Sequence, residues 1–394
     1  MTIELAQRMK DYEAGIFQVL NEKKIEREKA GGKVFNFSVG TPDFEPPKHI
    51  IDALVEAAKI PANYKYSLID IPELIDAVIC RYSKRYGVSL EKDEIMSVYG
   101  SQEGITHIAF TFANPGDIVL VPDPGYPVFS IGPSLAGADL KPYKLYKEKG
   151  YLPDLSEIEK LYGKGSPKKA KAIIVSYPLN PVCKCAPDSF YEELIAWAKK
   201  NEILVIHDNA YSDIVYDGKI GKSFLAFEGA KEVGVEFYSL SKSFNYTGAR
   251  MSFVVGNKDF VAAFKRLRSQ IDYGIFLPVQ YGAIAALTGP DDCVKEQCKE
   301  YEKRRNALCD GLTNIGWKFE RSQGSMFAWT AIPEKYGKDD VRFVMELFEK
   351  TGVLCTPGSS FGSLGAGHVR FALVLPVPVI EEAVNIIASS GVLA

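Results

Sequence analysis

Two short apolar segments, each followed by polar residues, constrain the fold of this 394-residue chain more than any other feature. Residues 172–178 and 203–208 are rich in β-branched side chains, and a helical pattern separates them. Segments of this kind are typical of strands that are buried on both faces of a parallel sheet. The sequence therefore predicts an α/β fold. Ligands of such folds bind at the carboxyl ends of the strands, where Asn180, Asp208, Asn209 and Tyr211 are expected to line one crevice.

Near the middle of the chain, one lysine lies among hydroxyl groups. Lys242 belongs to the segment Ser-Leu-Ser-Lys-Ser-Phe at residues 239–244, and Arg250 follows after a glycine and an alanine. A lysine amine condenses with an aldehyde to form a Schiff base, while serine hydroxyls and an arginine hold a phosphate dianion. Pyridoxal phosphate carries both groups, so the segment predicts a site for this coenzyme. A solvated loop is the alternative interpretation.

The motif Ser-x-Ser-Lys with a following Gly-x-Arg resembles the Schiff-base signature of the class I and II aminotransferases, which are pyridoxal-phosphate enzymes of fold type I. The resemblance implies that Lys242 is the catalytic residue and bears the coenzyme. It also implies that Asp208 pairs with the pyridine nitrogen, keeping it protonated and making the ring an electron sink. Tyr211 and Asn180 match the residues that bond the phenolic oxygen of the ring, and Asn180 is also expected to contact substrate.

A second segment is predicted to bind the coenzyme phosphate. Residues 98–104, Val-Tyr-Gly-Ser-Gln-Glu-Gly, precede an apolar run and indicate a turn followed by the start of a helix. Backbone N–H groups and a hydroxyl at a helix start bind phosphate well, and the family has its phosphate-binding turn here. The resemblance thus implies five candidate side chains around the phosphate: Ser101, Gln102, Ser239, Ser241 and Arg250.

Two tyrosines complete the predicted coenzyme site. Tyr126 follows a strand pattern in the segment Asp-Pro-Gly-Tyr-Pro, where the family has an aromatic residue that stacks on the coenzyme ring. Tyr66 resembles the tyrosine that reaches the phosphate bound by the other subunit, which implies a homodimer with shared active sites. Tyr64 is the alternative choice, because a glycine that the family has before Ile-Pro-Glu-Leu is absent here and the register can differ by one residue.

Segments near the two ends of the chain resemble the parts of the family that hold substrate. Gly40 lies in Val-Gly-Thr-Pro-Asp, where a glycine lets the backbone approach the substrate carboxylate. Arg370 follows a glycine-rich segment at residues 357–362 and matches the arginine that takes the α-carboxylate. Its planar guanidinium makes a bidentate contact that lysine cannot copy.

Composition is consistent with a metabolic enzyme and argues against several other classes. The net charge of −3 and the lack of a basic stripe argue against nucleic-acid binding. No apolar run approaches the ~18 residues of a membrane span, and the first residues do not resemble a signal peptide, so a cytoplasmic location is expected. Seven dispersed cysteines indicate reduced thiols. No metal site is expected, since Cys183 and Cys185 lack a second pair at zinc spacing.

The length of the chain predicts more than one domain, because a single core rarely grows this large. We expect an N-terminal arm and part of a small domain in residues 1–49, starting with a helical pattern at residues 9–29. Residues 50–289 are predicted to form a large coenzyme-binding domain with a mostly parallel sheet of the seven-stranded type. Residues 290–394 are expected to complete a smaller α+β domain, with strands at 317–320 and 326–329.

Three positions depart from the family pattern. A glycine is usual after Asn180 and Pro181, but this chain has Val182, Cys183 and Lys184. A side chain at that position requires a strained backbone or a different turn, and we expect the turn to be rerouted. The missing glycine before Ile-Pro-Glu-Leu and Ser252 in place of another glycine are the other departures.

The sequence predicts an aminotransferase that works by a ping-pong mechanism on an L-amino acid and a 2-oxo acid. Residues 271–276, with the two loops at 100–104 and 123–126, resemble the branch that holds alanine and LL-diaminopimelate aminotransferases. The resemblance implies that 2-oxoglutarate and glutamate form one substrate pair. A carbon–sulfur β-lyase of the same fold and a noncatalytic relative that binds the coenzyme remain as alternatives.

Overall fold

The computed structural model describes residues 3–6, 9 and 16–394. Its contacts divide the chain into two compact units. The smaller unit comprises Met1–Gly40, Lys303–Arg321 and Phe327–Ala394, and the larger comprises Thr41–Glu302 and Ser322–Met326. The divisions thus fall after residues 40 and 302, whereas the sequence suggested 49 and 289. The predicted N-terminal helix is described only from Ile16, and its residues 10–15 lie outside the described residues.

The described part of the chain contains twelve strands and fourteen α-helices. The strands are β1 (Phe35–Asn36), β2 (Ile95–Val98), β3 (Ile118–Asp123), β4 (Asp139–Lys144), β5 (Ala170–Ser176), β6 (Leu204–Asp208), β7 (Gly234–Ser239), β8 (Ser252–Gly256), β9 (Phe327–Ala331), β10 (Val353–Leu354), β11 (Thr356–Pro357) and β12 (His368–Ala372). The helices are α1 (Ile16–Lys29), α2 (Lys48–Ala58), α3 (Pro72–Tyr86), α4 (Ser101–Phe112), α5 (Val128–Leu135), α6 (Leu155–Tyr162), α7 (Asp188–Asn201), α8 (Ala230–Val233), α9 (Leu240–Ser243), α10 (Lys258–Arg268), α11 (Leu277–Thr288), α12 (Asp292–Asn314), α13 (Asp340–Thr351) and α14 (Val377–Ser389).

The larger unit is built on a seven-stranded sheet with the order β2-β8-β7-β6-β5-β3-β4. Its strands run parallel except for β8, which is antiparallel to both of its neighbours. The central strands are apolar because both of their faces are covered, and Val119, Ile174 and Phe237 are buried in one core. The predicted α/β fold with a mostly parallel sheet is therefore confirmed.

The crossover between β5 and β6 shows how local sequence forms these elements. Helix α7 places Phe190, Leu194 and Ala198 at intervals of four residues, and all three are buried. This spacing puts them on one face of the helix, as the apolar pattern predicted. Glu202 ends the helix in a left-handed conformation, with φ of 53°, and the chain returns directly into β6.

The smaller unit combines helices with two small sheets from both chain ends. Strands β1 and β10 pair in parallel, and β11, β12 and β9 form an antiparallel sheet. The predicted strand at 317–320 is wrong, because those residues form no strand ladder. Instead, the Thr330 hydroxyl donates to the carbonyl of Lys318 at 2.6 Å, and the Trp317 indole donates to the carbonyl of Ala331 at 2.8 Å.

None of the helices within the described ranges combines the length and the apolar character that crossing a bilayer requires.

Candidate active site

The carboxyl ends of three neighbouring parallel strands gather polar residues at one edge of the sheet. Strand β5 ends at Ser176, which pairs in register with Asp208 of β6, and Asp208 pairs in turn with Phe237 of β7. The residues that follow these ends therefore lie side by side. Asn180 follows β5, Asp208 ends β6, and both are almost completely buried. The sequence predicted this convergence from the apolar strand patterns.

Lys242 lies on a single helical turn that follows directly from β7. The turn is α9, and Ser239 caps it by accepting a hydrogen bond from the Ser241 backbone N–H at 3.2 Å. The Ser252 hydroxyl donates to the Ser239 oxygen at 3.1 Å and so fixes the orientation of this cap. Ser239 and Ser241 are buried, whereas Lys242 is half-buried. The turn holds the lysine at the same edge of the sheet as Asp208.

The environment of Asp208 is electrostatically unusual. Burial, together with the charge of Glu236, raises the pKa of Asp208 to about 7, although the positive charge of Lys242 acts in the opposite direction. Its Oδ1 atom is buried and has no hydrogen-bond partner among the described residues. A buried carboxylate oxygen without a donor is costly, so this site is suited to a ligand that brings a hydrogen-bond donor.

Glu236 is a buried residue close to this edge of the sheet that was not predicted from the sequence. Its carboxylate accepts hydrogen bonds from Tyr82 at 2.9 Å, from Ser223 at 2.8 Å and from the backbone N–H of Phe224 at 2.7 Å. The signal in the sequence was a glutamate inside the apolar strand pattern of residues 234–239, where a charged residue requires several partners. Glu236 lies in register with His207, the residue before Asp208.

The start of helix α4 and the guanidinium of Arg250 form an anion-binding corner. Gly100 precedes the helix with φ of 88°, and a Cβ atom there would collide with the Arg250 side chain. Only glycine therefore permits both this conformation and the close approach of the arginine. The Ser101 hydroxyl at the first helical position is buried and lacks a partner among the described residues. Free N–H groups, a hydroxyl and a guanidinium together fit a phosphate.

Gln102 and Tyr126 contact each other beside this corner. The Tyr126 hydroxyl donates to the Gln102 side-chain oxygen at 3.0 Å, and the Tyr126 ring packs edge-on against Phe129 at 5.9 Å. The bond fixes the far end of the tyrosine ring, and the contact with Phe129 fixes its plane. The sequence predicted that the two residues contact different parts of one coenzyme. The hydrogen bond between them is consistent with that prediction.

Two further polar residues lie after β6. Tyr211 is buried, as is Asn209, which the sequence placed at the same crevice without assigning it a role. The Asn209 backbone N–H donates to the carbonyl of Phe237 at 2.9 Å, while its Oδ1 atom has no partner among the described residues. Its position directly after Asp208 was the available signal, since side chains that follow a parallel strand face the ligand crevice.

In the smaller unit, Arg370 is held between two aromatic rings. Its guanidinium lies 4.0 Å from the ring centroid of Phe327 and 4.5 Å from that of Phe361, and it donates to the carbonyl of Ser38 at 3.4 Å. A Cβ atom on Gly40 would lie 2.5 Å from the Phe327 ring, so the glycine leaves room for this stack. The stacked, buried guanidinium has a fixed plane, which suits bidentate binding of a carboxylate.

Tyr66 and Tyr64 lie on the surface of the larger unit. They are 80% and 64% exposed, and their rings contact Tyr273 and Phe276 at 4.8 and 5.2 Å. Both tyrosines thus pack on the loop that precedes α11.

The loop after Asn180 corrects one expectation. The turn is not rerouted: Cys183 adopts the left-handed conformation, with φ of 62°, that a glycine would take more easily. Its thiol is buried and donates to the carbonyl of Pro181 at 3.1 Å. The Cys183 backbone N–H donates to Leu179 at 2.6 Å, and its carbonyl accepts from Gln323 at 3.0 Å. These bonds hold the backbone in place, so the side chain is accommodated with local strain.

Pyridoxal phosphate fits the residues at this edge of the larger unit. The partnerless oxygen of Asp208 matches a protonated ring nitrogen, and the corner of Gly100, Ser101 and Arg250 matches a phosphate dianion. A half-buried lysine on α9, Lys242, carries an amine at the same edge. These features belong to different elements of the sequence, and the fold brings them to one sheet edge.

Comparison with known proteins gives the same result. A match to the family described as aminotransferase class I and II spans residues 32–387. The LL-diaminopimelate aminotransferase of Halothermothrix orenii is 40% identical over 392 residues, covering 99% of each chain. The glutamate-pyruvate aminotransferase AlaC of Escherichia coli is 38% identical over 362 residues, covering 91% of this chain and 87% of that protein.

Solved structures agree with the sequence comparisons. Substrate-bound BacF from Bacillus subtilis superposes with a TM-score of 0.93 and 34% identity, covering 98% of each chain. A probable N-succinyldiaminopimelate aminotransferase from Thermus thermophilus gives a TM-score of 0.88 and 31% identity, covering 95% of this chain and 100% of that one. The predicted coenzyme and the predicted amino transfer are thereby confirmed, and no comparison favours the β-lyase alternative. The chain belongs to the class I and II aminotransferases and is a pyridoxal-phosphate-dependent transaminase.

Proposed function

We propose that Lys242 bears the coenzyme and moves the substrate proton, and that Asp208 pairs with the coenzyme nitrogen. The observation that carries this proposal is the buried, partnerless oxygen of Asp208 at the sheet edge where Lys242 lies. Pyridoxal phosphate supplies an aldehyde that takes up the amino group and a ring that withdraws electrons from the substrate Cα. The Asp208 carboxylate stabilises positive charge on the ring nitrogen, because a negative charge nearby favours the protonated form.

Lys242 acts as the base in this proposal. Its Nζ amine, when free, would remove the proton from the substrate Cα and would deliver it to the coenzyme carbon that takes up the amino group. The same amine serves both amino-acid and oxo-acid half-reactions, which is the ping-pong cycle. Asn180 and Tyr211 are assigned to the phenolic oxygen of the ring, in agreement with their buried positions after β5 and β6.

The remaining coenzyme contacts are assigned to the phosphate and to the ring face. We assign the phosphate to the corner of Gly100, Ser101 and Arg250, and the ring face to Tyr126. The start of α4 supports this assignment, since helix N-termini favour negative charge. The other side chains assigned to the phosphate site are Gln102, Ser239 and Ser241.

Substrate binding is assigned to Arg370, Gly40 and Asn180. Arg370 would take the α-carboxylate, which every amino acid and oxo acid in the reaction shares. Its guanidinium plane is set by Phe327 and Phe361, so a carboxylate meets a preorganised fork. The substrate side chain is then recognised elsewhere, which allows one arginine to serve both half-reactions.

The substrate pair is proposed from the relatives. We propose glutamate and 2-oxoglutarate as one pair and LL-diaminopimelate as the amino donor of the other, because the relative that covers 99% of this chain acts on that compound by name. Alanine is the second candidate, since AlaC is named for glutamate and pyruvate.

A half-reaction screen decides between these donors. The purified yellow protein is mixed with an excess of one amino acid at a time, without an oxo acid. The loss of coenzyme absorbance is then followed over a single turnover. The kcat/KM for LL-diaminopimelate should exceed that for alanine by about 10-fold or more. Differences in the contacts to the substrate side chain can produce a ratio of this size. A faster reaction with alanine rejects the donor assignment. Release of pyruvate and ammonia without an oxo acid would reject transamination itself.

We propose that the active protein is a homodimer in which Tyr66 reaches the partner's phosphate. An exposed apolar surface on the larger unit supports this, because Tyr66, Leu68 and Ile69 are 80%, 70% and 78% exposed. Apolar residues clustered on a surface indicate a protein interface. Light scattering should give twice the chain mass, and Tyr66→Phe should weaken coenzyme binding while Tyr64→Phe does not. A fully active monomer would refute the shared site.

A further inference from the structure

The helical turn that carries Lys242 has its carbonyl groups satisfied from outside the turn. Helix α9 is only four residues long, so its carbonyls cannot all find partners within it. The carbonyl of Leu240 accepts from the backbone N–H of Phe244 at 3.1 Å, and that of Ser241 accepts from the Thr247 hydroxyl at 3.1 Å. The carbonyl of Lys242 itself accepts from the side chain of Gln297 at 2.8 Å.

Gln297 comes from helix α12, far from the coenzyme motifs in sequence. It is 7% exposed and lies in the larger unit with Lys242. Its Nε2 atom donates to Lys242, and its Oε1 atom accepts from the Asn245 side chain at 2.9 Å. The second bond fixes the amide, because an amide turned by 180° would place two oxygens against Lys242 and two N–H groups against Asn245.

Asn245 is itself held in place. It adopts a left-handed conformation, with φ of 55°, which asparagine tolerates better than most residues. Its Nδ2 atom also donates to the carbonyl of Glu45 at 3.3 Å. The chain of bonds from Glu45 through Asn245 and Gln297 to Lys242 therefore ends on the backbone of the lysine whose amine does the chemistry.

We propose that Gln297 is a positioning residue that fixes the backbone of Lys242, and thereby the reach of its amine during proton transfer. The lysine has a long, flexible side chain, so the position of its backbone determines the positions that its Nζ atom can occupy. A single helical turn without internal hydrogen bonds at its end has little stiffness of its own. The inference rests on the proposed role of Lys242. It adds Gln297, which lies outside every coenzyme motif, to the residues on which that role depends.

The first test compares two substitutions of Gln297 with a control on the same helix. Gln297→Leu removes the donor, and Gln297→Glu keeps the shape and the bond from Asn245 but sets an acceptor against the Lys242 carbonyl. Both should lower kcat by roughly 10-fold, as small misplacements of a catalytic group do, with KM changed by less than about 2-fold. Glu296→Leu, on an exposed position of α12, should leave kcat and KM unchanged.

A second variant keeps the test valid if the substitutions at Gln297 prevent folding. Asn245→Asp removes the donor that orients the Gln297 amide, while the residue retains its size and its tolerance of the left-handed conformation. The value of kcat should again fall, by roughly 3-fold, with KM unchanged. A kcat equal to that of the parent in both Gln297→Leu and Asn245→Asp overturns the proposal.

The third readout does not depend on turnover. The dissociation constant of pyridoxal phosphate is measured for the parent, Gln297→Leu, Lys242→Ala and the double variant. If Gln297 acts through Lys242, Gln297→Leu weakens coenzyme binding in the parent but has no effect in the Lys242→Ala background. Equal weakening in both backgrounds would show that Gln297 supports the fold generally, and would reject the proposal. Full activity of Lys242→Ala would instead refute the role of Lys242, so the two failures are distinguishable.

Discussion

Asp208 and Asp213 lie close together in the chain and are buried to nearly the same extent, with 7% and 6% of their surfaces exposed. Burial and the charge of Glu236 raise the pKa of Asp208 to about 7, and its Oδ1 atom has no described partner. Burial also acts to raise the pKa of Asp213, but the charges of Arg81 and Arg85 outweigh it and hold that pKa below its usual value. The two carboxylates thus differ in their partners rather than in their depth.

The surroundings of Asp213 form a satisfied network. It accepts hydrogen bonds from Arg85 at 3.0 Å, from Tyr238 at 3.0 Å and from Arg81 at 3.3 Å. Arg81 also pairs with Asp291 at the start of α12. A buried charge with this many donors is part of the scaffold, because each group compensates the desolvation of another.

The sheet edge around Asp208 is different, since several of its buried polar atoms have no partner among the residues that the structure describes. The Ser101 hydroxyl and the Asn209 side-chain oxygen share this property with Asp208. Unsatisfied buried groups lower the stability of the protein without ligand, and a ligand that satisfies them recovers that free energy. The two regions therefore differ in unmet hydrogen-bonding demand, whereas burial does not separate them.

The largest expected effect is that of Lys242→Ala. Loss of the amine should lower the rate of transamination by on the order of 10³-fold or more, because the residue is both base and coenzyme attachment. Coenzyme should still bind noncovalently and be visible by absorbance. Substantial remaining turnover would show that the sheet edge is not the catalytic region.

Asp208→Asn is expected to come next in effect. The change removes the charge that keeps the coenzyme nitrogen protonated, and proton abstraction should slow by roughly 10²- to 10³-fold. Rapid-mixing measurements with an α-deuterated amino acid should show a larger isotope effect than in the parent. A near-normal rate would place Asp208 among the structural carboxylates, with Asp213.

Asp213→Asn should act on stability. It leaves Arg85 without the Asp213 carboxylate and Arg81 with Asp291 alone, so the free energy of unfolding should fall by about 3 kcal/mol. Urea unfolding of the coenzyme-free protein at pH 7.5 measures this loss. In contrast, the rate of amino transfer per folded molecule should change little. A loss of that rate without a loss of stability would show that Asp213 also takes part in the reaction.

The same substitution at Asp208 should have the opposite sign. A carboxyl whose folded pKa is raised from about 4 to about 7 costs stability that develops as pH rises through this window and is constant above it. Coenzyme-free Asp208→Asn should therefore be more stable than the parent by about 4 kcal/mol at pH 8, with little difference near pH 4. If the free energy of unfolding depended on pH in the same way in both proteins, the Asp208 carboxylate would have hydrogen-bond partners in solution.

Ser101→Ala is expected to have the smallest effect. The hydroxyl has no partner in the described part of the chain, so its removal should not lower the stability of the coenzyme-free protein. Coenzyme affinity should fall by roughly 10-fold, the value of one hydrogen bond to a charged group. Ser252→Ala is the contrasting variant, because that hydroxyl already bonds Ser239 and its removal should lower the stability of the coenzyme-free protein. Loss of stability without loss of affinity in Ser101→Ala would count against the phosphate assignment.

Much of the fold followed from local pattern. The alternation of apolar strands and helices predicted a parallel sheet, and β5, α7 and β6 lie where their patterns indicated. The strand expected at residues 317–320 failed, since side-chain bonds from Thr330 and Trp317 occupy the positions that a backbone ladder would use. The turn at Cys183 failed similarly, because bonds to Leu179 and Gln323 outweigh the preference of a non-glycine residue for negative φ.

The sequence by itself determined the family and the coenzyme and predicted the segments that hold it, because these depend on short motifs such as those around Lys242 and Gly100. Only the tertiary structure decided which buried polar groups are satisfied. Asp208 and Asp213 are chemically identical in the sequence, and Gln297 belongs to no motif. Asp213 and Gln297 bond Arg81 and Lys242, which lie far away along the chain, whereas Asp208 keeps an oxygen without a described partner, and folding alone produces this difference.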